Sequence, residues 1–231
     1  MMNRCLVCNE AMKDVLTWRT LLKRADAKVI CKSCEGGLER ITGERCSLCS
    51  RELDGIHRSG DLCYDCSRWE SDNEWSGQLS RNISLFHYNE QLKEIIAKFK
   101  YRGDYALASI FVPYLREVLK DMEHDLITCI PLSDERLRER GFNQAQALAD
   151  LLGLCTVELL NRIDTEKQSK KSRLERISLP QVFEVKNQDL LQGRSILVID
   201  DIYTTGTTLR QAAKALKKAG AKAVSSITLS R

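Results

Sequence analysis

The pattern of apolar and polar positions changes character at about residue 83. From Ile83 onward, apolar residues recur at helical spacing or gather into runs of strand length. Leu92, Ile95, Ile96 and Phe99 mark one face of a helix, and Asn89 stands where a capping side chain belongs. Leu107, Ile110, Phe111, Leu115 and Val118 predict a second helical stretch, which Pro113 should kink or divide. "LITCIPL" reads as a buried strand, "FNQAQALADLLG" as a helix closed by Gly153, and "TVELL" as another strand. "SILVI" is a third strand, a helix runs from Thr207 to Ala219 with Gly220 as its stop, and "AVSSITL" is the last strand. Strands alternating with helices predict an α/β domain over residues 83–231, a mostly parallel sheet flanked by helices. Ligands of such sheets bind at the carboxyl ends of the strands.

Residues 1–70 lack this periodicity and are punctuated by cysteine. Eight of the ten cysteines form four Cys-x-x-Cys pairs: Cys5/Cys8, Cys31/Cys34, Cys46/Cys49 and Cys63/Cys66. A two-residue spacing turns both sulfurs toward one tetrahedral ion, and two such turns complete a shell of four thiolates. Two structural zinc ions are therefore expected. Sequential pairing gives a small double zinc-ribbon module over residues 1–70, and cross-braced pairing satisfies the same spacing. With both shells complete, His57 reads as a surface residue. Cys129 and Cys155 stand alone in apolar surroundings and read as core thiols. The polar, turn-rich "SRWESDNEWSGQLSRN" is the expected connection between modules.

Charge and hydropathy narrow the class. Thirty-six Lys and Arg against 32 Asp and Glu leave a formal charge of +4, too small an excess to diagnose nucleic-acid binding. "MMNRCLVCNE" lacks the apolar core of a signal peptide, and no run approaches the ~18 apolar residues of a membrane span. A cytoplasmic protein without membrane insertion is the expectation, in keeping with unpaired thiols.

The densest chemistry lies in "ILVIDDIYTTGTTLRQA". Ile196 to Ile199 form a strand, Asp200 and Asp201 sit at its carboxyl end, and the threonine-rich turn leads into a helix. A glycine-bearing turn at a helix N-terminus offers backbone N–H groups, hydroxyls and the positive end of the helix dipole, which together suit a phosphate. The carboxylates repel phosphate but accept hydrogen bonds from sugar hydroxyls or hold a divalent cation. A ribose bearing a 5-phosphate meets both demands. The glycine patterns of a P-loop and of a dinucleotide fold are absent. A receiver domain would need a further acidic acceptor, and the 30 residues after Asp201 contain none.

This string closely resembles the 5-phosphoribosyl 1-pyrophosphate (PRPP) fingerprint of type I phosphoribosyltransferases. The resemblance implies that Asp200 and Asp201 bind the ribose hydroxyls while Thr204, Thr205, Gly206, Thr207 and Thr208 wrap the 5-phosphate. The order of four Cys-x-x-Cys pairs, "FKYRGD", "IPLSDERLRERGFNQA", "EKQSKKSRLER" and the fingerprint is similar to the ComF family of late competence proteins, with its ComFC and GntX-like branches, over nearly the full length. It implies a pyrophosphate-binding loop at Arg140, Gly141, Asn143 and Gln144, and a mobile basic loop containing Lys167, Lys170, Lys171, Arg173 and Arg176. It also implies Mg²⁺ with PRPP, a ComFA-type DNA-translocating ATPase as partner, and action at the inner face of the membrane through partners during uptake of single-stranded DNA.

Two classes of function stand side by side. One is a PRPP-binding protein that supports DNA handling, and the other is an active PRPP-dependent transferase whose acceptor no segment identifies. In the second, Arg or Lys donors and Mg²⁺ would meet the charge growing on the leaving pyrophosphate. Lys23, Arg24, Lys28 and Lys32, with Trp18 nearby, also permit single-strand binding by the cysteine-rich module, as does docking to a protein.

Overall fold

A computed structural model describes residues 3–12, 28–53, 55, 58–101, 104–163 and 182–231. In the cysteine-rich part, β1 (Asn3–Arg4) pairs antiparallel with β2 (Ala11–Met12). Helix α1 (Lys32–Gly36) starts at Cys31, whose side chain accepts from Cys34 N. Farther on, β3 (Arg58–Ser59) pairs with β4 (Leu62–Cys63), and α2 (Tyr64–Glu70) starts at Cys63. The Cys31/Cys34 and Cys63/Cys66 pairs thus each place one cysteine before a short helix and the next one turn into it. His57 lies outside the described residues, as do Trp18, Lys23 and Arg24.

Strand β5 (Arg81–Phe86) opens the α/β part and is followed by α3 (Glu90–Tyr101). Asn89 Oδ1 accepts from Leu92 N at 2.9 Å, so the expected cap is formed. A 3-10 stretch (Tyr105–Ile110) and α4 (Val112–Leu119) come next, separated at Phe111, with Pro113 in the first turn of α4 where its missing N–H costs nothing. Then come β6 (Leu126–Cys129), α5 (Asp134–Arg140), α6 (Gln144–Leu152), β7 (Leu160–Arg162) and β8 (Phe183–Val185). Strand β9 (Ser195–Ile202), α7 (Thr207–Lys218) and β10 (Ala223–Ser230) complete the order. Gly153 closes α6 in the left-handed conformation, as expected.

The main sheet has the order β5-β10-β9-β6, with all pairs parallel. Ile199 faces Ile227 on one side and Cys129 on the other. Since β6 and β10 flank β9 on opposite sides, the strand order diverges at its carboxyl end, the place where ligands of such sheets bind. The expected "TVELL" strand is displaced. Thr156 makes a single parallel bridge to Ile127, and residues from Leu160 turn away to pair antiparallel with β8.

Strand β9 is apolar on both faces because both are covered. Leu197 and Ile199 join a core with Phe86, Leu92, Ile96, Phe99 and Leu148. Ile196 and Val198 join another with Leu159, Phe183, Leu209, Ala213 and Leu216. The cysteine-rich residues divide between these cores: Cys5, Ile30 and Leu38 pack in the first, and Cys46, Cys49, Cys63 and Cys66 in the second. The segment after α2 lies along α7, where Glu70 pairs with Arg210, Glu74 with Lys214, and Gly77 O accepts from Lys217 Nζ at 2.8 Å.

A buried polar seam runs between β5 and β10. Asn82 Nδ2 donates to Ser84 Oγ at 2.8 Å, and Asn82 Oδ1 accepts from Ser226 Oγ at 2.8 Å. Ser50, with a φ of 62°, donates its hydroxyl to Asn82 O at 3.0 Å and fastens the second knuckle to the seam. Cys155 is exposed, contrary to its reading as a core thiol, because the chain turns outward between α6 and the Thr156 bridge. Cys129 is half-buried, and burial pushes its thiol up to about 12. Among the described residues, no helix is long and apolar enough to cross a membrane.

Candidate ligand site and cysteine groups

Asp200 and Asp201 occupy the carboxyl end of β9, where the strand order diverges. Asp200 Oδ1 accepts from Asp201 N at 2.9 Å, which holds its side chain along the strand end. Burial, then the neighbouring Asp201 charge, pushes the Asp200 carboxyl up to about 8. Asp201 is ion-paired with Lys100, from the last turn of α3. The next residue of α3, Tyr101, lies under the Arg140 guanidinium at 5.7 Å. The end of one helix therefore touches both the acidic strand end and the basic end of α5.

Thr204 to Thr208 form the turn from β9 into α7. Gly206 is its pivot, with a φ of 82°, and a Cβ there would lie 2.2 Å from Tyr203 Oη. Only glycine meets both conditions. Thr205 and Thr207 hydroxyls are 2.9 Å apart, and Arg210 N donates to Gly206 O at 2.9 Å to start the helix. On one side of the turn, Trp69 Nε1 donates to Thr205 O at 3.0 Å. On the other, Tyr203 is buried beneath Gly206 with the Arg231 guanidinium 4.8 Å from its ring. Clefts of about 370 Å3 and 400 Å3 flank the turn, the first reaching Ile41, His87 and Tyr88, the second Arg68, Trp69 and Trp75.

Between α5 and α6, Asn143 is committed to structure. Its Oδ1 caps α6 through Ala145 N at 2.9 Å, and its Nδ2 donates to Ile130 O at 2.9 Å. Gly141 ends α5 with a φ of 77°, and Arg140 Nη1 donates to Gln144 Oε1 at 2.9 Å. Lys167, Lys170, Lys171, Arg173 and Arg176 lie outside the described residues. Lys100 and Arg210 stand outside the candidate residues that the sequence marks. The available signal for Lys100 was its position four residues after Ile96, on the apolar stripe of α3.

The eight paired cysteines form two groups, Cys5/Cys8/Cys31/Cys34 and Cys46/Cys49/Cys63/Cys66, each with sulfurs within 4.8 Å of one another. Sequential pairing is the arrangement adopted. Tetrahedral metal–thiolate bonds of ~2.3 Å place sulfurs roughly 3.8 Å apart. Cys8 and Cys31 Sγ are 3.8 Å apart and Cys49 and Cys63 Sγ 3.5 Å, so both groups fit a four-thiolate ion. The groups differ in cover: Cys8 is exposed, whereas all four cysteines of the second group are buried.

The family described as the phosphoribosyl transferase domain matches residues 137–231, from α5 to the end of β10. The parallel sheet flanked by helices is thus of the type I phosphoribosyltransferase class expected. The chain is similar to Competence protein ComFC of Bacillus subtilis strain 168, at 40% identity over 98% of this chain and 94% of that protein. It is 35% identical to Competence protein ComFC of Streptococcus pneumoniae, over 99% of this chain and 100% of that one. It is 25% identical to Competence protein F of Haemophilus influenzae, over 84% of this chain and 93% of that one.

Proposed function

The chain belongs to the ComFC family of competence proteins, and on that premise we propose that it binds PRPP or a similar phosphorylated ribose and supports the handling of transforming single-stranded DNA in competence. The observation that carries the ligand is the end of β9, where Asp200 and Asp201 adjoin a turn that only Gly206 permits. In this reading the carboxylates accept from ribose hydroxyls, and Thr204 to Thr208 with the N-terminus of α7 hold the phosphate. Mg²⁺ would enter with the ligand, and Arg140 and Gly141, with Asn143 as their anchor, would face its pyrophosphate. Lys170 and Lys171 would close over it.

Zinc is the proposed occupant of both cysteine groups, because four thiolates from paired Cys-x-x-Cys turns at tetrahedral spacing suit a structural zinc ion. It would fix each knuckle against its core face and contribute folding energy. Partnership with a ComFA-type translocating ATPase belongs to the same proposal, as does a cytoplasmic place at the inner face of the membrane.

The test is calorimetric titration with PRPP, with and without Mg²⁺, beside Asp200→Asn/Asp201→Asn. Binding by the wild type and none by the folded double variant is expected, and equal binding by both would move the ligand elsewhere. Anisotropy of a labelled single strand should show an affinity that falls steeply with salt. A salt-independent affinity, or no binding at low salt, would remove DNA from the reading. The cleft at Tyr203 and His87 favours a second reading, catalysis with an acceptor seated there. Exchange of labelled pyrophosphate into PRPP would reveal it.

A further inference from the structure

Arg210 lies one turn into α7 with its side chain fully buried, and its guanidinium contacts with Glu70, Cys66 and Trp69 lead toward the second cysteine group. Nη1 pairs with Glu70 Oε1 at 2.7 Å, Nη2 reaches Cys66 Sγ at 3.8 Å, and the guanidinium sits 5.3 Å from the centre of the Trp69 ring. Trp69 and Glu70 are the last residues of α2, the helix whose N-cap is Cys63 and whose first turn carries Cys66. Trp69 in turn holds Thr205 O at 3.0 Å. A second arm runs down the other side of the turn. Tyr203 packs beneath Gly206 and against Arg231, and Arg231 Nη1 donates to Cys49 O at 3.3 Å.

Both walls of the Thr204–Thr208 turn therefore rest on one metal-binding group. Four thiolates around a divalent ion leave a net charge of −2, and a buried guanidinium aimed at Cys66 offsets part of it. The ion would also fix α2 at its N-cap, Cys63, and at Cys66, one turn before Trp69, so a seven-residue helix acts as a short rigid arm.

We propose that Arg210 and Trp69 are positioning residues which couple the Cys46/Cys49/Cys63/Cys66 group to the phosphate turn, so that metal at the one and phosphorylated ribose at the other bind cooperatively. The inference rests on the phosphorylated-ribose reading above. Coupling of this kind is reciprocal in binding free energy, and a ligand that holds the turn, Trp69 and Arg210 in place would also slow the opening of the metal group through which the ion leaves.

The experiment uses the full zinc-loaded chain. Metal release to a chromogenic chelator is followed with and without Mg²⁺ and PRPP, and PRPP affinity is measured by calorimetry, for wild type, Arg210→Lys and Trp69→Phe. Trp69→Phe keeps an aromatic face beside Arg210 and removes the pyrrole half of the indole with the N–H that holds Thr205 O, so it tests the link even if Arg210→Lys fails to fold. PRPP is expected to slow the slower release phase of the wild type by about tenfold and leave the faster phase unchanged. Trp69→Phe should keep two zinc ions per chain, bind PRPP roughly tenfold more weakly, and lose the effect of PRPP on release. Tight binding with unchanged release in the wild type, or wild-type behaviour in Trp69→Phe, would overturn the coupling and leave the ligand reading intact. No binding of PRPP by the wild type would overturn both.

Discussion

Lys100 and Asp201 form an ion pair across the end of the sheet, with side chains only 15% and 14% exposed. Asp200 stands beside it with a carboxyl that burial pushes up to about 8. Without ligand, the lysine is the counterion of the acidic pair. Lys100→Ala should lower stability by about 1–3 kcal/mol, since it leaves a largely buried carboxylate unpaired. Mg²⁺ should then stabilise the variant more than the wild type, because the cation replaces the missing charge. Thermal unfolding over a Mg²⁺ series checks both statements, and equal Mg²⁺ dependence would place the cation elsewhere.

The raised carboxyl of Asp200 gives a pH dependence of definite sign. Its value rises from the ordinary 3.8 to about 8, so the unliganded protein binds more protons than the unfolded chain between these limits. Stability from this group is present at low pH and lost as pH rises toward 8. Asp200→Asn should therefore be more stable than wild type at pH 8, by on the order of 1–3 kcal/mol, with the difference shrinking toward pH 5. Ligand affinity should move the other way. Hydroxyl donors and cations favour the ionised form, so PRPP should bind more tightly as pH rises from 6 to 8, with release of a proton that calorimetry in two buffers detects.

Gly206→Ala tests the turn itself. The substitution forces a side chain into a left-handed backbone and against Tyr203, at an expected cost of about 1–3 kcal/mol. Adding Tyr203→Phe removes the atom nearest the new Cβ and should recover part of that loss in chemical denaturation. No recovery would mean that backbone strain alone sets the cost.

The two cysteine groups should lose metal in a fixed order. Cys8 is exposed while the second group is buried throughout, so a chelator should remove one equivalent quickly and the other slowly. Cys8→Ser should abolish the fast phase only. Release of both equivalents in one phase would show that the groups open together.

What could be read from the residues followed how directly each reports its surroundings. The four apolar positions of β9 and the turn after it were legible because burial on both faces and a glycine pivot leave plain marks. Strand β5 was not, because Asn82 and Ser84 break its apolar pattern while being buried and satisfied by Ser226, Thr228 and Ser50. Arg210 sits in a helix where arginine is usually solvated, and its burial depends on Glu70 and Cys66, more than a hundred residues away. The pairing of the cysteines was open in the spacing and is settled by which knuckle meets which core face.

The division of the cysteine groups between the two faces of the sheet bears on how the chain is made. Both groups are complete by residue 66, yet the strands they lie against, β9 and β10, are synthesised only after residue 194. Strand β5 likewise waits for β10, its hydrogen-bonded neighbour. Well over half of the polypeptide must emerge before either knuckle finds the surface that buries it, a strongly non-local topology of the sort that folds slowly and exposes apolar segments meanwhile. Metal captured on the ribosome would keep each knuckle closed through that interval, so on the zinc reading proposed above, scarce zinc during translation should lower the yield of native protein.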